Sequence, residues 1–202
     1  MLIGDDEYKT FETWMREYIE HHCIIRTLMP GQLDIDRVKD VTTVDHLMPG
    51  KSPAVWYPEW FSIQRGLFDP TFLSILSQMF IYKIEREIGH FNFQLSGLET
   101  AATPMLASIP LVAKGFGINL NAFVVKKEQK TYGIKNWIEG RPDKNKPVMI
   151  IDDLCDSSMS IKRAKLVCEQ QEMEVMKDVF VIICKKIPDI KMIYLFNFDN
   201  LK

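Results

Sequence analysis

The stretch VMIIDDLCDSSMSIKRA, from Val148 to Ala164, holds the residues best placed for chemistry. Four apolar residues lead into two adjacent carboxylates, Asp152 and Asp153. A hydroxyl-rich run with Asp156, Ser157, Ser158 and Ser160 follows, and then a helical pattern. A helix start offers unpaired backbone N–H groups and the positive end of its dipole, which suits a phosphate. Ser157, Ser158 and Ser160 can donate hydroxyl bonds to the same anion. Ionised Asp152 and Asp153 only accept, so they suit sugar hydroxyls or a hydrated Mg²⁺ and would repel the phosphate itself. Together the parts describe a site for a phosphorylated sugar. Two acids after a strand alone would more often cap the next helix, and the whole string is much more specific.

Such a site needs a buried strand to carry the acids and a sheet to hold that strand. PVMIIDD, DVFVIICKK and MIYLFNF (192–198) are apolar runs, and the helical pattern SMSIKRAKLVCEQQ separates the first two. This predicts an α/β fold with a parallel sheet covered on both faces. Upstream, Asp69 as N-cap and Pro70 at the first position open a helix with Phe72, Leu76, Phe80, Ile84 and Ile88 on one face before Gly89. FNFQLSG (91–97) reads as a strand, Thr103-Pro104 opens a helix ending near Gly115 and Gly117, and NAFVVKK (121–127) is another strand. Residues 128–146 are polar and turn-rich without a period, which predicts a long mobile loop. Residues 7–28 place Phe11, Trp14, Met15, Tyr18, Ile19 and Ile25 near helical spacing, predicting an amphipathic N-terminal helix. The His21-His22-Cys23 run within it is not assigned to a metal, because neighbours in a helix point in different directions.

The chain has 202 residues, enough for one domain with an accessory segment. We divide it into an N-terminal helical or hood segment, 1–46, and an α/β domain, 47–202. With 27 acidic and 25 basic side chains the net charge is -2, so no global positive field is available for nucleic acid or an anionic membrane. Any bound anion must be held locally. Four cysteines lie far apart without a C-x-x-C pair, which reads as reduced thiols in a cytoplasmic protein. The first residues carry no apolar signal core and no run reaches the ~18 apolar residues of a membrane span, so neither secretion nor membrane insertion is expected.

The Val148 to Ala164 segment resembles the phosphoribosyl pyrophosphate (PRPP) signature of type I phosphoribosyltransferases. By that resemblance Asp152 and Asp153 hold the ribose hydroxyls, while Asp156, Ser157, Ser158 and Ser160 fall on the loop around the 5′-phosphate. GLETAATP (Gly97 to Pro104) is similar to the pyrophosphate loop of the orotate enzymes, placing Glu99 and Thr100 at the substrate. VKKEQKTYG (Val125 to Gly133) resembles their R-K-E-x-K-x-H-G segment. This implies phosphate contacts from Lys126 and Lys127, closure of Lys130 over pyrophosphate across a dimer interface, and Tyr132 in place of the loop His. LMPGKSPAVWY (Leu47 to Tyr57) is similar to a segment near the base site. The four motifs lie in family order between about residues 45 and 186.

The resemblance implies a Mg²⁺-dependent homodimer that displaces pyrophosphate from C1 of PRPP by a nucleobase nitrogen, with an orotate-type pyrimidine expected. Several positions depart from the family. Ser158 stands at the loop glycine, where a positive φ would strain the loop by about 1 kcal/mol. Ala101 and Ala102 stand where a Lys or Gly is common, Met48 where the base site has Lys, and Cys184-Lys185 where it has Asp-Arg. Lys185 cannot present a planar fork to a carboxylate. These departures support an alternative, a PRPP-binding regulatory protein, or one built into a larger complex through its N-terminal residues. Asp156 signals a further one, since purine-salvage enzymes place a catalytic Asp there.

Overall fold

The computed structural model describes residues 2–26, 48–49, 56–57, 59–128, 136–186 and 189–201. Helix α1 (Asp5–Tyr18) runs into a π-helical turn, Ile19–Cys23, and then into strand β1 (Ile24–Arg26). The helix is therefore shorter than the spacing over 7–28 predicts. The β-branched pair Ile24-Ile25 instead pairs antiparallel with β4 (Glu59–Phe61), and branching at Cβ favours a strand over a helix there. Between these strands lie β2 (Met48–Pro49) and β3 (Trp56–Tyr57), which pair with each other.

After the short α2 (Gln64–Leu67), helix α3 (Pro70–Glu87) forms as its sequence requires. Asp69 accepts from the Phe72 N–H at 2.8 Å and Pro70 occupies the first position. Phe72, Leu76, Phe80 and Ile84 are fully buried. Met15 and Ile19 of the N-terminal segment join the same core cluster as α3 and the inner strands.

The remaining elements alternate: β5 (Gln94–Leu98), α4 (Thr103–Gly115), β6 (Asn121–Val125), β7 (Ile138–Gly140), β8 (Val148–Cys155), α5 (Met159–Gln170), β9 (Val175–Cys184) and β10 (Met192–Asn197). A 3-10 turn, Phe198–Leu201, follows. The six-stranded sheet has the order β10-β9-β8-β5-β6-β7, parallel except for β7, which pairs antiparallel with β6. β7 corrects the expectation of an unstructured 128–146 loop: Ile138 buries its side chain on the second core cluster, too short a signal to show a period. Residues 129–135 of that loop lie outside the described residues.

From β5 the chain moves outward to β6 and then crosses back to β8 on the other side of β5. This reversal creates a crevice beyond the carboxyl ends of β5 and β8, where open α/β sheets bind ligands.

Candidate active site

Gly97 sits where β5 meets β8 at the reversal. A Cβ built there would lie 2.4 Å from the Ile151 carbonyl oxygen and 2.5 Å from the Ala102 Cβ, so only glycine permits this approach. Pairing between the two strands runs from Gln94–Val148 to Ser96–Ile150. Beyond it β5 turns through Glu99 and Thr100, joined by a cis peptide bond, into α4. Glu99 is half-buried and Thr100 exposed.

β8 carries Asp152 and Asp153 to the same end. Asp152 is 5 % exposed. The Asp153 N–H donates to Asp152 Oδ1 at 3.1 Å, and the Leu154 N–H to Asp153 Oδ1 at 2.8 Å. Burial pushes both carboxyls above the ordinary carboxylate range, and in Asp152 the neighbouring Asp153 charge pushes further. The Lys127 ammonium pulls both back down.

Lys127 is exposed at the end of β6, and its backbone is clamped from two sides. Its N–H donates to Glu99 Oε1 at 2.7 Å, and its carbonyl accepts from Arg163 on α5. The pyrophosphate-loop candidate, the lysine segment and the helix after the acids are thus tied together. Lys126 is buried instead, with its ammonium 2.8 Å from Asn136 Oδ1 and 2.7 Å from Glu139 Oε1 of β7. Lys130 and Tyr132 lie outside the described residues.

After Cys155 the chain bends through Asp156 and Ser157 into α5. Ser158 has φ 58° and ψ 10°, the left-handed region. Its hydroxyl is turned inward, 3.3 Å from Cys155 Sγ, so the loop side presents Ser157, which is exposed, and Ser160, which is half-buried in the first turn of α5. Asp156 Oδ1 lies 3.8 Å from Lys186 Nζ. Lys185, half-buried, donates its backbone N–H to the Cys155 carbonyl at 2.8 Å and places its ammonium 5.2 Å from the centre of the Phe198 ring. Arg163, Lys186 and Phe198 escape sequence reasoning. Arg163 belongs to no spacing rule, and the two others become neighbours of the site only once strand register is known.

Two curated relatives carry the same name. An orotate phosphoribosyltransferase of Leptospira biflexa is 29 % identical over 124 residues, 61 % of this chain and 66 % of that protein. One from Rhodopirellula baltica is 32 % identical over 79 residues, 39 % of this chain and 41 % of its own. The chain thus spans just under two thirds of the first relative and less of the second. A solved orotate phosphoribosyltransferase of Mycobacterium tuberculosis, in complex with Fe(III) dicitrate, superposes with a TM-score of 0.71 at 14 % identity, over 95 % of this chain and 98 % of that one. The chain is similar to orotate phosphoribosyltransferases at low sequence identity and shares their fold. Its type I phosphoribosyltransferase fold extends to the adenine phosphoribosyltransferase of Saccharomyces cerevisiae, with a TM-score of 0.52 at 17 % identity over 75 % of this chain and 93 % of that one. The Mycobacterium tuberculosis protein is also solved in complex with PRPP, where the TM-score is 0.64 at 12 % identity over 96 % of this chain and 92 % of that one. No family model matches the sequence. Among the described residues no helix is long and apolar enough to cross a membrane.

Proposed function

We propose that this chain is a phosphoribosyltransferase that moves the 5-phosphoribosyl group of PRPP to a nucleobase of the orotate type and releases pyrophosphate. The observation that carries the reading is the meeting, at one crevice, of an acid pair, a helix start behind a hydroxyl-bearing bend, and an exposed lysine. The names of its relatives and a PRPP-bound fold neighbour support it.

In this reading the amino end of α5, with Ser157 and Ser160, holds the 5′-phosphate. Asp152 and Asp153 accept the ribose hydroxyls and fix the sugar. Negative charge develops on the departing pyrophosphate, so Lys127, held by Glu99 and Arg163, stabilises the transition state there. Lys130 of a neighbouring subunit closes over the same group and excludes water, which makes the working form a homodimer. Lys185 faces the acceptor.

Two adjacent carboxylates without a third acid, His or Cys ligand among the described residues suit Mg²⁺, which keeps several waters and shares its shell with substrate phosphates. Asp152 and Asp153 would hold it, and it would supply charge neutralisation for the pyrophosphate.

The test is pyrophosphate release from PRPP and Mg²⁺ with orotate, uracil, guanine and hypoxanthine in parallel. Release with orotate is expected, and Lys127→Ala should lower kcat about 100-fold. Release with a purine alone would assign Asp156 as the base toward the ring. Thermal stabilisation by PRPP without release from any base would make the chain a PRPP-binding regulatory protein.

A further inference from the structure

Across the carboxyl ends of β8, β9 and β10, Asp156, Lys185 and Phe198 follow one another. Register sets this row, because Cys155 pairs with Cys184 and Cys184 with Asn197. Each of the three residues is the next one along its strand. The Lys185 ammonium lies 5.2 Å from the Phe198 ring centre, and Phe61 of β4 packs on Phe198 at 4.7 Å and 52°. All three side chains are half-buried. The cluster joins the N-terminal β1-β4 pair to the last strand of the sheet, directly beside the phosphate-loop candidate.

We propose that Phe198, backed by Phe61, is a positioning residue that holds the Lys185 ammonium toward the acceptor base. The proposal rests on the transferase reading above. A lysine carries a point charge on a flexible four-carbon stem, whereas an arginine fork is planar and pre-organised. For one ammonium to select an acceptor, the surroundings must fix it. An aromatic face attracts the cation through its quadrupole, and an ammonium with three N–H donors can bond a further acceptor at the same time. A head held this way reads a heterocycle through a single carbonyl or carboxylate oxygen. Recognition of the acceptor is thereby separated from the acids and Lys127, which serve PRPP.

The experiment uses the full chain with PRPP, Mg²⁺ and orotate. Phe198→Leu should raise KM for orotate about ten-fold while KM for PRPP and kcat stay within about two-fold. Phe198→Tyr should retain wild-type values. Because Phe198 acts through Lys185, adding Phe198→Leu to Lys185→Met should change nothing further. Equal rises in both KM values, or full additivity of the two substitutions, would overturn the proposal. A wild-type chain that turns over no orotate would refute the orotate-type reading, and the ¹³C-dimethyl NMR signal of Lys185 then decides the present one. A signal shifted by the ring in wild type, released in Phe198→Leu and moved by orotate supports it. A signal indifferent to orotate overturns it.

Discussion

At the amino end of the sheet Gln94 is fully buried, and its amide is bonded from both sides. Its Nε2 donates to the Asp143 and Lys146 carbonyls at 2.6 and 2.9 Å, and its Oε1 accepts from the Asp143 N–H at 2.9 Å and Asn121 Nδ2 at 3.3 Å. Asp152, at the carboxyl end, is almost as deeply buried, yet its oxygens find one backbone N–H, a second carboxylate beside it and Lys127 nearby. Ser158 holds a left-handed backbone at the same end, and Gly97 is pressed against Ile151. Gln94 has its polar groups fully met within the fold, whereas the acid pair holds buried charge that a ligand can neutralise. A buried acid pair and a left-handed serine both destabilise a fold, so their meeting at one crevice marks it as the place where binding is selected over stability.

Substitutions at the two ends should therefore fail in opposite ways. The largest effect is expected at the acids: Asp153→Asn should reduce pyrophosphate release about 100- to 1000-fold without lowering the melting temperature. Loss of folding instead would place Asp153 with the structural groups. Gln94→Ala should do the reverse, costing about 2 kcal/mol in urea unfolding because it orphans the Asp143 N–H and two carbonyls, with KM for PRPP unchanged.

The acids also set a pH dependence. Their folded-state pKa values are raised, so between the ordinary carboxylate range and those values the native state binds more protons than the unfolded chain. Stability should fall as pH rises through that window, by up to about 1.4 kcal/mol per pH unit for each proton, and Asp152→Asn should flatten the slope. Urea unfolding at pH 5, 6, 7 and 8 measures it. A wild-type slope of opposite sign would mean that the pair is well compensated in the free protein. The smallest effect is expected at the bend: Ser158→Gly should stabilise by about 1 kcal/mol by removing the left-handed penalty.

Much of this arrangement was legible in the amino acids. Asp69-Pro70 and the Phe72, Leu76, Phe80, Ile84 stripe define α3 without help, since cap and periodicity agree. The acid pair and hydroxyl bend were found because strand, loop and helix signals follow one another within 17 residues. The positive φ of Ser158 follows only from comparison with a family glycine, and the backbone has it. Other features depend on contacts distant in sequence. The inward turn of Lys126 depends on Asn136 and Glu139, the clamp on Lys127 depends on Glu99 and Arg163, and the end of the N-terminal helix depends on β4. No local pattern encodes such pairings, because register and topology create them.

Isothermal titration with PRPP and with ribose 5-phosphate, each with and without Mg²⁺, tests most directly whether the crevice holds a phosphorylated pentose. Uptake of both at one site per chain, strengthened for PRPP by Mg²⁺ and lost in Asp152→Asn, is the expected result. No heat from either ligand with a folded wild-type chain, or binding indifferent to Asp152, would contradict it.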